Sequence, residues 1–127
     1  MFNHIFVGTN DIDTSRKFYD ATMGVLGFGG HPLPHGTVYP SEHGSFIVAK
    51  PGNGEVATCM NGFTFGFKAS DYATVDAWYA AGLANGGTDE GAPGFRAQSP
   101  GNMYGAYLRD PDGHKICAFT ANVGEKA

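Results

Sequence analysis

The feature that most limits what this 127-residue chain can fold into is that it repeats itself. A shift of 60 residues lays Asp11 on Asp71, Thr14 on Thr74, Phe18 on Trp78, Tyr19 on Tyr79, Ala21 on Ala81 and Gly27 on Gly87. Each half reads as a strand, a helix and then further strands. A unit of this length present twice is too long for a stacked solenoid and points to a duplicated βαβββ module. Two such modules can set their sheets edge to edge, curve them around a shared cavity and cover the outer faces with helices. The expected fold is therefore α+β. It is a single domain over residues 1–127, with modules over about 1–60 and 61–122, a curved mixed sheet around a central cavity, and the helices outside.

Residues 2–8 read as a strand, with Ile5 and Val7 on one face and Phe2, His4 and Phe6 on the other. Residues 10–14 offer several N-caps, and the apolar spacing of Phe18, Ala21 and Val25 then predicts a helix ended by Gly24 or Gly27. Between Gly29 and Gly44 only Thr37–Tyr39 reads as strand, and a strand follows over Ser45–Ala49. Residues 55–60 read as a linker or lid. Phe63, Phe65 and Phe67 alternate with Thr64, Gly66 and Lys68, so the aromatic side should be buried under the second helix. Ser70 is the expected N-cap of that helix, which runs from Asp71 through Leu83. Pro93-Gly94-Phe95-Arg96 reads as a loop leading to a closing hairpin.

In that hairpin, Tyr104–Leu108 and Lys115–Phe119 flank Asp110-Pro111-Asp112-Gly113. Proline presets φ, the aspartates can bond nearby amides, and glycine tolerates positive φ, so the tetrapeptide is a turn. It lacks the alternating acidic ligands and distant glutamate of a calcium loop. Strand parity places Phe2, Phe6 and Phe119 with His4 and Cys117, an aromatic lining for a cavity.

A net charge of −4 and no cluster of Lys or Arg argue against nucleic-acid binding. No apolar run is long enough to span a membrane, and residues 1–4 do not resemble a secretory leader, so a cytoplasmic protein with free Cys59 and Cys117 is expected. No phosphate-binding glycine loop, nucleophile elbow or CxxC pair is present.

Four segments together resemble the vicinal oxygen chelate superfamily, which includes glyoxalase I, bleomycin-resistance proteins and extradiol dioxygenases. They are His4-Ile-Phe-Val with Asp11-Ile and Phe18-Tyr19; residues 63–69 with their helix; Pro93-Gly-Phe-Arg96; and Asp110-Pro-Asp-Gly-His-Lys-Ile116. The resemblance implies a small-molecule ligand in the cavity and a homodimer. It also implies, for metal-using members, a divalent ion on four ligands, one from the first and last strand of each module. Carried over, those positions are His4, Thr64, Val48 and Cys117, with Cys117 where the family commonly has glutamate. Val48 cannot ligate and a neutral threonine ligates poorly, so no cofactor or metal is expected. His31, His35 and His43 fit no ligand spacing.

The ligand-binding residues expected are His4, Phe6, Thr64, Arg96, Tyr104 and Cys117. His4, Arg96 and Tyr104 are the orienting polar groups, and Arg96 is suited to a carboxylate or phosphate. Tyr104 and Tyr107 differ in parity, so only one can face inward. His4 and Cys117 are the catalytic candidates, should they face each other as a Cys/His pair. The function expected is a small-molecule-binding protein of the glyoxalase/bleomycin-resistance type that has lost the metal site. The alternative is a metal-dependent lyase, isomerase or dioxygenase, and the blandest reading is a partner-binding domain without a ligand.

Overall fold

Asp11 and Asp71, equivalent in the repeat, begin equivalent helices. Each carboxylate accepts the backbone N–H three residues on, from Thr14 at 3.0 Å and Thr74 at 2.8 Å. The second N-cap is thus Asp71 rather than Ser70, whose hydroxyl bonds instead to that of Thr74 at 3.1 Å. The computed structural model describes residues 1–126. The first half comprises β1 (His4–Gly8), α1 (Ile12–Val25), β2 (His31–Leu33), β3 (Gly36–Tyr39) and β4 (Ser45–Ala49). The second comprises β5 (Phe65–Lys68), α2 (Tyr72–Ala84), β6 (Thr88–Phe95), β7 (Tyr104–Arg109) and β8 (Lys115–Thr120). They form two four-stranded mixed sheets, ordered β1-β4-β3-β2 and β5-β8-β7-β6. No helix is long and apolar enough to cross a membrane.

Two strands were not expected. β2 has three residues, all exposed, and pairs only with β3, too short to leave a hydrophobic pattern. β6 occupies the stretch expected to be a loop. Its pairing with β7 slips between Asp89 and Gly91 and again between Gly91 and Gly94, so glycines and Pro93 sit at bulges rather than breaking the strand. Both are outermost strands, and both contain proline, Pro32 and Pro93.

Each sheet buries the face that meets its helix. Phe18 and Trp78, the repeat partners, are fully buried. A Cβ on Gly82 of α2 would collide with Leu108 and crowd Phe18, so this glycine is the gap in which α1, α2 and β7 meet. Across the seam, Phe46 of β4 stacks on Phe65 of β5 at 5.5 Å and meets Phe67 edge-on at 5.2 Å. The buried faces of both sheets therefore share one core, in which Phe65 and Phe67 pack on Phe46 of the first half rather than under the second helix, and Phe63 meets His114 edge-on. Burying one such ring contributes about 1.5–3 kcal/mol. A single hydrogen bond nets about 1 kcal/mol, so apolar packing holds the halves together.

Polar contacts set how they meet. Asp110, buried at the start of the β7–β8 turn, accepts the N–H groups of Asp112 and His114 at 3.0 and 2.9 Å and the Tyr19 hydroxyl at 2.6 Å. His114 Nε2 lies 2.7 Å from the Gly8 carbonyl, which can only accept, so this nitrogen carries the proton. Asn10 N–H donates to Asp112 Oδ1 at 2.9 Å, and the Asn10 side chain pairs both backbone groups of Ala57. The turn of the second half is thereby fastened to β1, α1 and the 55–60 linker of the first, which is a docked connection here.

Tyr19→Phe should test this fastening. Burial already pushes the Asp110 carboxyl upward, and loss of the hydroxyl leaves one oxygen without its partner. The expected cost in urea unfolding is about 1–3 kcal/mol. A loss under about 0.5 kcal/mol would mean water replaces the phenol freely.

Candidate functional site

Strand register assigns the face turned away from the helices. In the first sheet His4 pairs with Ser45, and Phe6 with Ile47, which pairs in turn with Val38. In the second, Gly66 pairs with Cys117 and that with Tyr107, while Lys68, Phe119 and Gly105 form the next row. Arg109 and Lys115 make a third row. These two open faces are where a ligand can lie, because the other faces are filled by core.

On the second sheet the open face is a cation–aromatic surface. The Arg96 guanidinium lies 5.6 Å from the centre of the Tyr107 ring and the Lys115 ammonium 5.0 Å from it. Tyr107 meets Phe119 edge-on at 5.5 Å. Phe119 lies over Gly105, where a Cβ would come within 2.5 Å of the ring. Arg96 donates through Nη2 to the Ala92 carbonyl at 2.6 Å. Cβ atoms on Gly91 and Gly94 would approach its guanidinium nitrogens at 3.2 and 3.1 Å, so the two glycines make the trough in which it lies.

On the first sheet the open face is largely apolar, and Phe6 remains 50% exposed. The edges of β1 and β5 flank a cavity of about 440 Å³ whose walls include Phe2, His4, Ser45, Phe46, Phe65 and Lys68. Its size is within the range of small-ligand pockets. At the far end of β1, Phe6, Cys59, Met60, Phe63 and His114 surround a second cavity of about 280 Å³.

The residues singled out from sequence divide accordingly. Arg96 and Cys117 share the second open face through Tyr107. His4 and Phe6 lie on the first, and Thr64 stands exposed just before β5. Tyr104 does not join them. Its register with Thr120 turns it to the helix side, where it is 3% exposed and its hydroxyl donates to Asp76 at 2.6 Å. Tyr107 is the inward tyrosine. Lys68 and Lys115 were missed, although parity with Cys117 and opposition to Phe67 mark them in the sequence.

Cys117 on β8 and His4 on β1 belong to different sheets. Burial pushes the Cys117 thiol up to about 11, and Lys115 is the only charge that opposes the shift. His4 is exposed, with Nδ1 2.7 Å from the Asn3 amide nitrogen. The equivalence of Val48 with Cys117 is also corrected. Ile5 pairs with Phe46 as Phe65 pairs with Ile116, so the counterpart of Cys117 is Ile47, and Val48 is buried in the core. The positions corresponding to the family metal ligands thus hold imidazole, hydroxyl, thiol and a branched alkyl group, which do not fit a divalent ion. Among the described residues no group of three His, Cys, Asp or Glu side chains is placed to hold a metal.

The model of the glyoxalase/bleomycin resistance protein/dioxygenase superfamily matches residues 1–118. A glyoxalase/bleomycin resistance protein from Albidiferax ferrireducens T118 is 50% identical in sequence, and its structure superposes with a TM-score of 0.88. The match covers 94% of this chain and 98% of that one. A glyoxalase-related enzyme from Fulvimarina pelagi shares the fold at 18% identity and a TM-score of 0.77, over 100% of this chain and 92% of the other. A lactoylglutathione lyase from Agrobacterium tumefaciens does so at 21% identity and a TM-score of 0.65, over 94% and 92%. No curated protein sequence matches significantly.

The thiol environment predicts the outcome of labelling. With a pKa of about 11, only about a thousandth of Cys117 is thiolate at pH 8. In the native protein a disulfide reagent should modify exposed Cys59 and leave Cys117 until the chain unfolds. Native Cys59→Ser reacting at the rate of a free thiol at pH 8 would refute this.

Proposed function

The chain belongs to the glyoxalase/bleomycin resistance protein/dioxygenase superfamily, and from that premise we propose that it is a small-molecule-binding protein that has lost the family's metal centre. The observation that carries the reading is the donor set. Of His4, Thr64, Ile47 and Cys117, only the imidazole is a competent neutral-pH ligand without help. Ile47 has no donor atom, and the thiol is held protonated by burial. No step of a metal-assisted reaction can be built on these four residues. What the open faces do offer is apolar and aromatic area with a few polar groups at its margins, the usual composition of a ligand site. Phe6, Tyr107 and Phe119 supply the area. His4, Thr64 and Arg96 are the groups that would orient a ligand.

The competing reading is a metal-dependent lyase, isomerase or dioxygenase. What favours it is the exposed imidazole of His4 on β1, whose Nδ1 lone pair is engaged only by the Asn3 amide, a bond that a metal ion can displace. The lactoylglutathione lyase bears on architecture alone at its low identity. Elemental analysis separates the readings. Untagged protein incubated with nickel, zinc, iron or manganese and then desalted should retain far less than one ion per chain. About one tightly held ion per chain, abolished by His4→Ala, would overturn the proposal and favour the enzyme. In the binding reading some members of a broad apolar library raise the melting temperature, as any ligand preferring the native state must. Sedimentation velocity checks the homodimer that the family resemblance leads us to expect.

A further inference from the structure

The geometry points to an oxyanion subsite on the open face of the second sheet, where Arg96 and Lys115 take the carboxylate or phosphate of a ligand whose apolar ring lies against Tyr107 and Phe119. The inference rests on the small-molecule-binding reading above and gives that ligand a chemical class.

Charge is distributed unevenly over the chain. Its net charge is −4, yet Lys68, Arg109 and Lys115 occupy strand positions on this face and Arg96 lies over it. No strand residue with register on either open face is an aspartate or glutamate. Glu90, at the bulge of β6, is 3.0 Å from Arg109 and is engaged there. Among the described residues Arg96, Lys68 and Lys115 have no ion pair. Four positive groups with the single acid Glu90 among them leave an excess of positive charge, which attracts an anion and repels a cation.

Arg96 is also held in place for such a role. A guanidinium has five N–H donors, and only the bond from Nη2 to Ala92 is made within the chain. The trough over Gly91 and Gly94 and the Tyr107 ring fix its plane, leaving Nη1 and Nε without a partner among the described residues. Both bidentate edges of the guanidinium include Nη2, and with one of its two hydrogens on Ala92 one edge stays open to the two oxygens of a carboxylate or phosphate. Beside Arg96, Tyr107 and Phe119 are both partly accessible, and their rings, set at 76° to one another, offer an aromatic corner against which an apolar ring can lie. Lys115, 5.0 Å from the centre of the same ring, adds a second positive group to this face.

The test is calorimetric titration of the full chain with four compounds sharing one ring: phenylacetate, phenyl phosphate, phenylacetamide and phenethylamine. We expect at least one of the two anions to bind about tenfold or more tightly than the amide, with no binding of the amine. The two anions tell carboxylate from phosphate. Arg96→Gln should weaken the anion about tenfold while leaving the amide unchanged. Arg96→Lys should also weaken it, because charge is kept and the fork is lost. Lys115→Gln, on a different strand, provides the same test should an Arg96 variant fail to fold, which thermal melting will reveal. Equal binding of anion and amide, or indifference to these substitutions, overturns the subsite while leaving a small-molecule binder standing. Binding of none of the four also overturns it. The apolar library of the preceding test then decides the wider reading separately.

Discussion

Each sheet is buried on one face only, and nearly everything else follows from that asymmetry. A strand with one buried side has no freedom of register, because a slip of one residue exchanges its two faces. Phe46, Phe65, Phe67, Leu108 and Ile116 are committed to the shared core, and their neighbours in sequence are thereby committed to the open side. The chemistry available on that side is whatever the alternate positions carry. Here those positions carry one histidine on β1, aromatic rings, lysines and a cysteine, and they carry no pair of carboxylates.

The polar seam serves a different purpose from the aromatic one. Stacked rings tolerate sliding, whereas Asp110 accepts three directed hydrogen bonds, and Asn10 and His114 reach backbone atoms of particular residues. Burial pushes the carboxyl of Asp110 upward, with the Tyr19 hydroxyl bond the first of the contacts opposing the shift. Its environment is thus a compromise between desolvation and partners. Such a node sets how the β7–β8 turn seats against α1 and the end of β1, and so how the two halves are held together.

Much of this was legible in the sequence, and the failures have identifiable causes. The 60-residue repeat, both helices and the closing hairpin follow from periodicity and turn chemistry, which are local signals. The assignment of His4 and Cys117 to the open side followed from the family resemblance, and that of Phe6 from its parity with His4. Tyr104 could not be assigned that way, because parity within β7 says that Tyr104 and Tyr107 differ without saying which faces α2. Only pairing with β8 decides it. The equivalence of Val48 with Cys117 failed over one residue. The segment before β4 and the turn before β8 differ in length, and an alignment anchored on Gly44 and Gly113 carries the error into the strand. β6 was hidden because glycines and a proline, ordinarily breakers, lie at its bulges. The distance from Arg96 to Tyr107 is a tertiary fact with no local signature.

The sheet edges at β2 and β6 have a consequence beyond this chain. A sheet edge with free N–H groups invites another strand to pair with it, and repeated pairing of that kind produces fibres. Pro32 lies in the middle of β2 and Pro93 at a bulge of β6, and a proline offers no N–H to an incoming strand. The irregular register of β6 further spoils it as a template. Each sheet therefore has one edge, β2 or β6, at which growth from one molecule to the next is disfavoured, while the opposite edges, β1 and β5, hold no proline.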